Sequence, residues 1–261
     1  MFGDARAEDE IMSPPPGSGG MWGAMELLFG VHPVVECLRA GRRRVLKLWV
    51  SSPDRAAELE RSLGAPLPLV PEIEPRERLS KRADNPQHQG VLAEVEPYPY
   101  TALEELLEIS GAFLLVLDNL TDLHNVGAIL RSAYCAGVTG VTLRKHHAAQ
   151  VTPVVAKASA GAVEHLNVAL VPNQALALER AGDAGLFRLA LDMDGQSLWR
   201  ADLPWNRPLA LVVGEEGEGV SRLTRRHCDA AVKIPMKGGL DSLNASVAAA
   251  LALFEVARRR A

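Results

Sequence analysis

Phe113-Leu-Leu-Val-Leu-Asp-Asn-Leu-Thr-Asp-Leu-His-Asn-Val-Gly-Ala-Ile-Leu-Arg131 decides the fold of this chain. Residues 113–118 read as an apolar strand, and 126–136 as a helix stopped by Gly137, with a polar island, 119–131, spanning the join. A buried strand that feeds a polar loop and then a helix is the βα unit of a parallel sheet. The pattern recurs to the C-terminus. Strands at 140–143, 166–170, 186–191, 209–213 and 230–234 alternate with helices at 152–159, 173–181, 221–227 and 243–260. Near-continuous apolar strands of this kind predict an α/β fold whose parallel sheet is covered on both faces. Two more islands, Gly214-Glu-Glu-Gly-Glu-Gly219 and Ile234-Pro-Met-Lys-Gly-Gly-Leu-Asp-Ser-Leu-Asn-Ala-Ser246, also follow strands. Loops at the carboxyl edge of such a sheet are where open α/β folds hold ligands.

Upstream, residues 26–95 read as a small α/β unit. Helices at 33–40 and 54–63 end at Gly41 and Gly64; strands are expected at 45–51, 67–70 and 91–95, with a helical turn at 75–79 and a polar loop at 83–90. Glu96-Pro-Tyr-Pro-Tyr100 is stiff and Pro-rich, as a linker is, and a helix at 102–109 follows it. The expected organisation is a leader at 1–24, a small domain at 25–96, a linker at 97–110 and a larger domain at 111–261. The leader is acidic and rich in Pro, Gly and Ser, without the basic start and apolar core of a signal peptide, so disorder is expected there.

With 48 % apolar and 23 % charged residues in 261, the composition is that of an ordinary globular protein. No apolar run reaches membrane-spanning length, and Cys37, Cys135 and Cys228 lack paired or metal-type spacing. A cytoplasmic protein with reduced thiols is expected. The net charge of −4 argues against a nucleic-acid partner at first sight. The leader holds four acids against Arg6, however, so the remainder is close to neutral, and its cations are clustered. Arg42-Arg43-Arg44 with Lys47, the group from Arg76 to Arg82, Arg144-Lys145-His146-His147, Arg225-Arg226 and Arg258 to Arg260 are such clusters. They suit either a phosphate-binding face or solvated helix faces.

Each island has its own chemistry. Asn125 is suited to cap a helix starting at Val126, and Gly127 and Arg131, four apart, share a face. A glycine beneath a guanidinium leaves room for a ligand; the plainer reading is a cap, a packing glycine and a surface ion pair. In 214–219 three glycines permit close backbone approach or positive φ. Without a lysine, and with Glu215, Glu216 and Glu218, this is no phosphate loop; it suits a ligand bearing hydroxyls or a cation. In the third island Ser242 is the expected N-cap, and amides around 243–245 point outward as donors. Leu243, Val247, Ala250, Leu251 and Phe254 are expected as the buried stripe of the last helix. Asp118 and Asp122 have no third ligand beside them and are expected as turn and capping residues, with no metal site; His124 is expected to cap or pack.

Asn125-x-Gly127-x3-Arg131, Gly214-x-Glu216-Gly-x-Gly219 and Ile234-Pro-Met236 with Ser242-Leu-Asn244-x-Ser246 together resemble the three-motif signature of the SpoU-type RNA ribose 2′-O-methyltransferases. The resemblance covers 113–260. It implies an α/β trefoil-knot methyltransferase domain preceded by a small α/β RNA-binding domain, with S-adenosylmethionine as cofactor and a homodimer as the assembly. Phe29-Gly-Val-His-Pro-Val-Val-Glu36 and His88-Gln-Gly90 resemble the RNA-binding domain of the subgroup that methylates a guanosine ribose in the peptidyl-transferase P loop of bacterial 23S rRNA. The family pattern is departed from at Glu215, often Ser, and at Ala245, usually Val. By this resemblance Val213, Gly214, Gly219, Ile234, Met236 and Leu243 surround the cofactor. Arg131 acts on the 2′-hydroxyl, and Asn125, Glu216, Asn244 and Ser246 hold the ribose, the arginine and the loops. A guanidinium gives up its proton reluctantly, so binding the adjacent phosphate and orienting the hydroxyl is the easier role for Arg131. A tRNA or other rRNA ribose, and a non-catalytic RNA-binding protein of the same fold, are the competing readings.

Overall fold

The apolar runs Phe113–Leu117 and Leu209–Val213, buried at every residue, lie side by side as β5 and β9 at the centre of a six-stranded sheet. The computed structural model describes residues 25–146, 148–239 and 242–261; the expected leader at 1–24 lies outside them, as do His147, Leu240 and Asp241. Along the chain run β1 (Glu26–Phe29), α1 (Val31–Ala40), β2 (Val45–Val50), α2 (Pro53–Leu63), β3 (Glu72–Ile73), α3 (Arg76–Ala83) and β4 (Val91–Val95). There follow α4 (Leu103–Leu107), β5, α5 (Leu123–Cys135), β6 (Gly140–Arg144), α6 (Pro153–Ala158), β7 (Val168–Val171), α7 (Gln174–Asp183) and β8 (Phe187–Ser197). Last come β9, α8 (Arg222–Arg226), β10 (Ala230–Lys233) and α9 (Ala245–Arg260).

The large sheet has the order β10-β8-β9-β5-β6-β7 with every pairing parallel. Successive strand residues face opposite sides. Leu115, Leu117, Leu211 and Val213 join one core with Ile129 and Leu130 of α5 and Leu253 of α9. Leu114, Val116, Ala210 and Val212 join a second with Leu178 and Ala181 of α7. The sheet covered on both faces, expected from the apolar strands, is present. Among the described residues no helix is long and apolar enough to cross a membrane.

The small sheet has the order β1-β4-β2-β3. The strand expected at 67–70 is absent, and Val70 is 90 % exposed. Pro66, Pro68 and Pro71 remove amide donors from that stretch. The short strand lies at Glu72–Ile73, where Trp49 Nε1 donates to Glu72 at 3.0 Å. β1 is an edge strand that pairing with β4 creates. β8 runs six residues past its expected end, because Gly195 lets β10 approach: a Cβ there would lie 2.4 Å from the Val232 amide nitrogen.

The last helix is turned relative to expectation. Its buried side is Ala245, Ala249, Ala252, Leu253, Glu255 and Val256, and the three alanines let it come close to the sheet and α5. Val247, Leu251 and Phe254, expected to be buried, are 40–49 % exposed, and Leu243 and Ala250 are half-buried.

The two lobes meet through a buried ion pair. Arg43 donates from Nε (2.9 Å) and Nη2 (2.5 Å) to the two carboxylate oxygens of Glu164, and from Nη1 to Glu26 (2.6 Å). Burial pulls the Arg43 pKa down, but the hydrogen bonds to Glu164 and then Glu26 outweigh that and hold it above its ordinary value. Arg42 donates to the carbonyl of Leu166, so these two arginines of the basic cluster serve structure, while Arg44 and Lys47 stay exposed. The same holds at the C-terminus, where Arg258 and Arg259 clasp Glu255 and Arg260 donates to the Gly111 carbonyl. The expected linker is pinned as well: Tyr98 is buried and its hydroxyl donates to the carbonyls of Leu166 (2.6 Å) and Val163 (3.1 Å). Arg43→Met leaves Glu164 buried without its partner and is expected to cost about 3–5 kcal/mol. Arg43→Met with Glu164→Leu should recover most of that loss; urea midpoints of the three proteins check it.

Candidate active site

Because β5, β9, β8 and β10 are parallel neighbours, the loops that leave them emerge at one edge. The loop after β5 is held to the one after β9: the buried Asp118 carboxylate accepts from the Ser221 amide at 2.9 Å. Asp122 caps α5 by accepting from the Asn125 amide at 2.6 Å. Asp122 thus takes the capping role expected of it, whereas Asp118 ties together two loops distant in sequence instead of shaping its own turn. Asn125 does not cap; it lies in the first turn of α5, one of three residues the helix gains over the expected start. That frees its carboxamide. Asn244, rather than Ser242, caps α9, its Oδ1 accepting from the Ser246 amide (2.9 Å) and hydroxyl (2.6 Å). The same side chain donates from Nδ2 to Asn125 Oδ1 (3.0 Å) and Glu216 Oε2 (3.4 Å). One carboxamide therefore ties together the loops after β5, β9 and β10.

Below this cluster is a cavity of about 410 Å³. Val213, Gly214, Gly219, Ile234, Met236 and Leu243, the six expected cofactor neighbours, all line it, and so does Glu216. The acidic loop closes one side as a tight turn, with Gly217 and Gly219 at φ 85° and 68° and the Gly219 amide donating to the Glu215 carbonyl at 2.9 Å. Gly214 is required by that turn, since a Cβ would lie 2.0 Å from the Gly219 carbonyl oxygen. The remaining wall includes residues outside the three motifs. Leu191, Asp192 and Met193 of β8 and Lys233 of β10 complete it. Leu191, Asp192 and Met193 stand where the expected strand at 186–191 ends, so the strand-edge rule applied to that strand points to them.

One expectation for the first island fails. Gly127 is buried against α6, where a Cβ would meet that of Ala158 at 2.4 Å; it serves packing and makes no space for a ligand. Arg131 is exposed and lies off the cavity, six residues beyond Asn125 and so about 9 Å along α5. His124 is exposed and neither caps nor packs; it faces a second cleft, of about 500 Å³, with Gln87 and Lys157. Lys157 donates to Gln89 at 2.7 Å across the lobes, and burial lowers its pKa.

Residues 112–254 match the family described as SpoU rRNA Methylase, and residues 27–101 match RNA 2′-O ribose methyltransferase substrate binding. The chain is 38 % identical to the putative TrmH family tRNA/rRNA methyltransferase YacO of Bacillus subtilis, over 90 % of this chain and 96 % of that one. It is 40 % identical to the 23S rRNA (guanosine-2′-O-)-methyltransferase RlmB of Pseudomonas putida, over 90 % and 97 %. The SpoU methyltransferase AviRb from Streptomyces viridochromogenes, in complex with AdoMet, superposes with a TM-score of 0.73 at 27 % identity, over 90 % of both chains. Matched across both lobes and carrying all three motifs at one sheet edge, the chain belongs to the SpoU family of RNA 2′-O-ribose methyltransferases.

Proposed function

We propose that this enzyme methylates the ribose 2′-hydroxyl of a guanosine in the peptidyl-transferase P loop of 23S rRNA, with S-adenosylmethionine bound in the cavity beneath Asn244. The observation that carries the site is the three-way contact of Asn244 with Asn125 and Glu216 at the cavity mouth. The RNA assignment is supported by the likeness to the 23S enzyme and by the pattern around His88-Gln-Gly90.

The cavity fits the cofactor. Leu191, Val213, Ile234 and Leu243 offer apolar surface to a flat base, and Gly214 and Gly219 contribute lining without side chains. Glu215 and Glu216 oppose a positive sulfonium favourably. Bound there, the cofactor supplies an activated methyl group. The chain's own residues then have the task of presenting a poor nucleophile. Asn125, Asn244 and Ser246 carry the donors and acceptors that a ribose edge needs, and the Glu216 carboxylate is an acceptor for the proton that the 2′-hydroxyl gives up. Arg131 binds a backbone phosphate of the RNA and so fixes where that ribose stands.

Domains at 25–96 and 111–261 joined through 97–110, a cytoplasmic location, a trefoil knot and a homodimer belong to the same proposal. That α9 leaves the edge strand β10 and packs back on α5 and β9 supports the threaded course. Val247, Leu251 and Phe254, spaced to share one face of α9, support a second copy of the chain as its cover.

The direct test is transfer of a labelled methyl group to unmodified 23S rRNA and to bulk tRNA in parallel, with the site mapped by resistance to alkaline cleavage. Label at a 23S guanosine ribose is the expected result; label in tRNA alone overturns the RNA assignment and keeps the chemistry. Arg131→Ala should abolish transfer while adenosylmethionine still binds by calorimetry, and retained transfer removes Arg131 from the mechanism. Leu251→Asp with Phe254→Asp should convert a dimer to a monomer in sedimentation, and a monomeric unsubstituted chain overturns the dimer.

A further inference from the structure

Where the lobes meet, a crevice of about 320 Å³ lies apart from the cavity described above. Arg131 and Tyr134, three apart on α5, line it from the large lobe, and His32 and Glu36 of α1 line it from the small one. The Tyr134 ring is stacked on that of His165, with centroids 5.0 Å apart and planes 21° from parallel. Glu36 holds the imidazole in place through Nε2 at 2.8 Å. Even so, Tyr134 is 45 % exposed. The floor is the turn at 159–162. Ala160 takes a left-handed φ of 52° there, and Gly161 is pressed so close to α1 that a Cβ would lie 2.6 Å from that of Glu36. The platform is thus built by the contact of the two lobes and held rigid by it.

An exposed aromatic ring with a guanidinium one turn away is the pairing by which proteins seat a single-stranded nucleotide. The ring takes the base by stacking and the cation takes the phosphate. We propose that this crevice binds an unpaired nucleotide of the substrate RNA next to the methylated one, its base stacked on Tyr134 and its phosphate on Arg131. This rests on RNA as the substrate and holds whichever RNA is methylated. It gives Arg131 a defined ligand and makes Tyr134 an RNA-positioning residue.

Cys135 lines the same crevice and supplies the probe. It is exposed, whereas Cys37 and Cys228 are covered and burial pushes both of their thiols up to about 12, so maleimide near neutral pH reads Cys135. An RNA that accepts the methyl group, at tenfold over its dissociation constant, should slow alkylation of Cys135 roughly tenfold. Adenosylmethionine alone should leave the rate unchanged. Tyr134→Ala should raise KM for RNA roughly tenfold or more with adenosylmethionine affinity unchanged, and Tyr134→Phe should restore it. Unchanged alkylation in the presence of a methyl-accepting RNA overturns the proposal, and so does an unchanged KM in Tyr134→Ala. The alkylation assay uses the unsubstituted chain, so it decides even if Tyr134→Ala fails to fold. Protection by tRNA together with transfer to tRNA alone overturns the 23S assignment and upholds the crevice.

Discussion

A parallel sheet sends every strand out at the same edge, and that constraint produces the site. β5 is far in sequence from β9 and β10, yet the loops that follow all three emerge together. What turns convergence into geometry is a small set of polar ties. Asp118 secures the loop after β9 to the loop after β5 from within the protein, and Asn244 secures all three loops at the surface. The second tie depends on a capping arrangement. Because Asp122 takes the capping role at α5, the Asn125 side chain is free to face Asn244. Because Asn244 caps α9, its Nδ2 is held at a fixed angle to the helix. Two helix starts are thereby locked against each other across the mouth of the cavity.

The same logic extends to the substrate side. An RNA methyltransferase must hold a large, flexible molecule so that one ribose meets a small cavity. A small lobe on a loose tether would add binding without registration. In this chain the small lobe is fixed by Arg43, enclosed by Glu164 and Glu26, and by Tyr98, which anchors the connecting segment to the large lobe. A buried ion pair is weak evidence for stability but good evidence that the geometry around it is specified. Removing water from both charges is tolerable in the one arrangement where each carboxylate oxygen finds its donor. The crevice at Tyr134 and the cleft at His124 both lie along this fixed seam, and their walls therefore keep their spacing.

Much of this was legible in the residues, and the failures have physical causes. Strand and helix order in the large domain followed from apolar runs and glycine stops, and the six cavity residues followed from the resemblance of the three motifs to a known family. Helix starts were misplaced where two candidate caps stand close together: Asp122 against Asn125, and Ser242 against Asn244. Propensity alone ranks these residues as near equals, and the choice is made by tertiary contacts. The run at 67–70 has the apolar character of a strand, but Pro66, Pro68 and Pro71 deny it the amide donors a strand needs. The extension of β8 failed because Asp192-Met-Asp-Gly-Gln-Ser197 has the composition of a loop, and pairing with β10 made it a strand. Arg43 could not be told from its neighbours in a run of three arginines, since its buried partner lies more than a hundred residues away.

The reversed stripe of α9 is the most instructive of these cases. Both of its sides are apolar, one by alanine and one by Val247, Leu251 and Phe254. Periodicity identifies the bulkier side, and a reading by hydrophobicity assigns that side to the core. Close packing decides otherwise. To leave β10 at the sheet edge and return across β9 and α5, the helix needs a surface on which backbones approach closely, and alanines supply it. The larger side chains are left on the outside, where a lone chain would expose them to water. A helix with two apolar faces calls for two partners, and this fold provides one of them. The unoccupied face lies on the same helix whose first turn holds Asn244, so whatever covers it also bears on the mouth of the active site. Assembly and catalysis, in the homodimer proposed above, are therefore joined through a single helix.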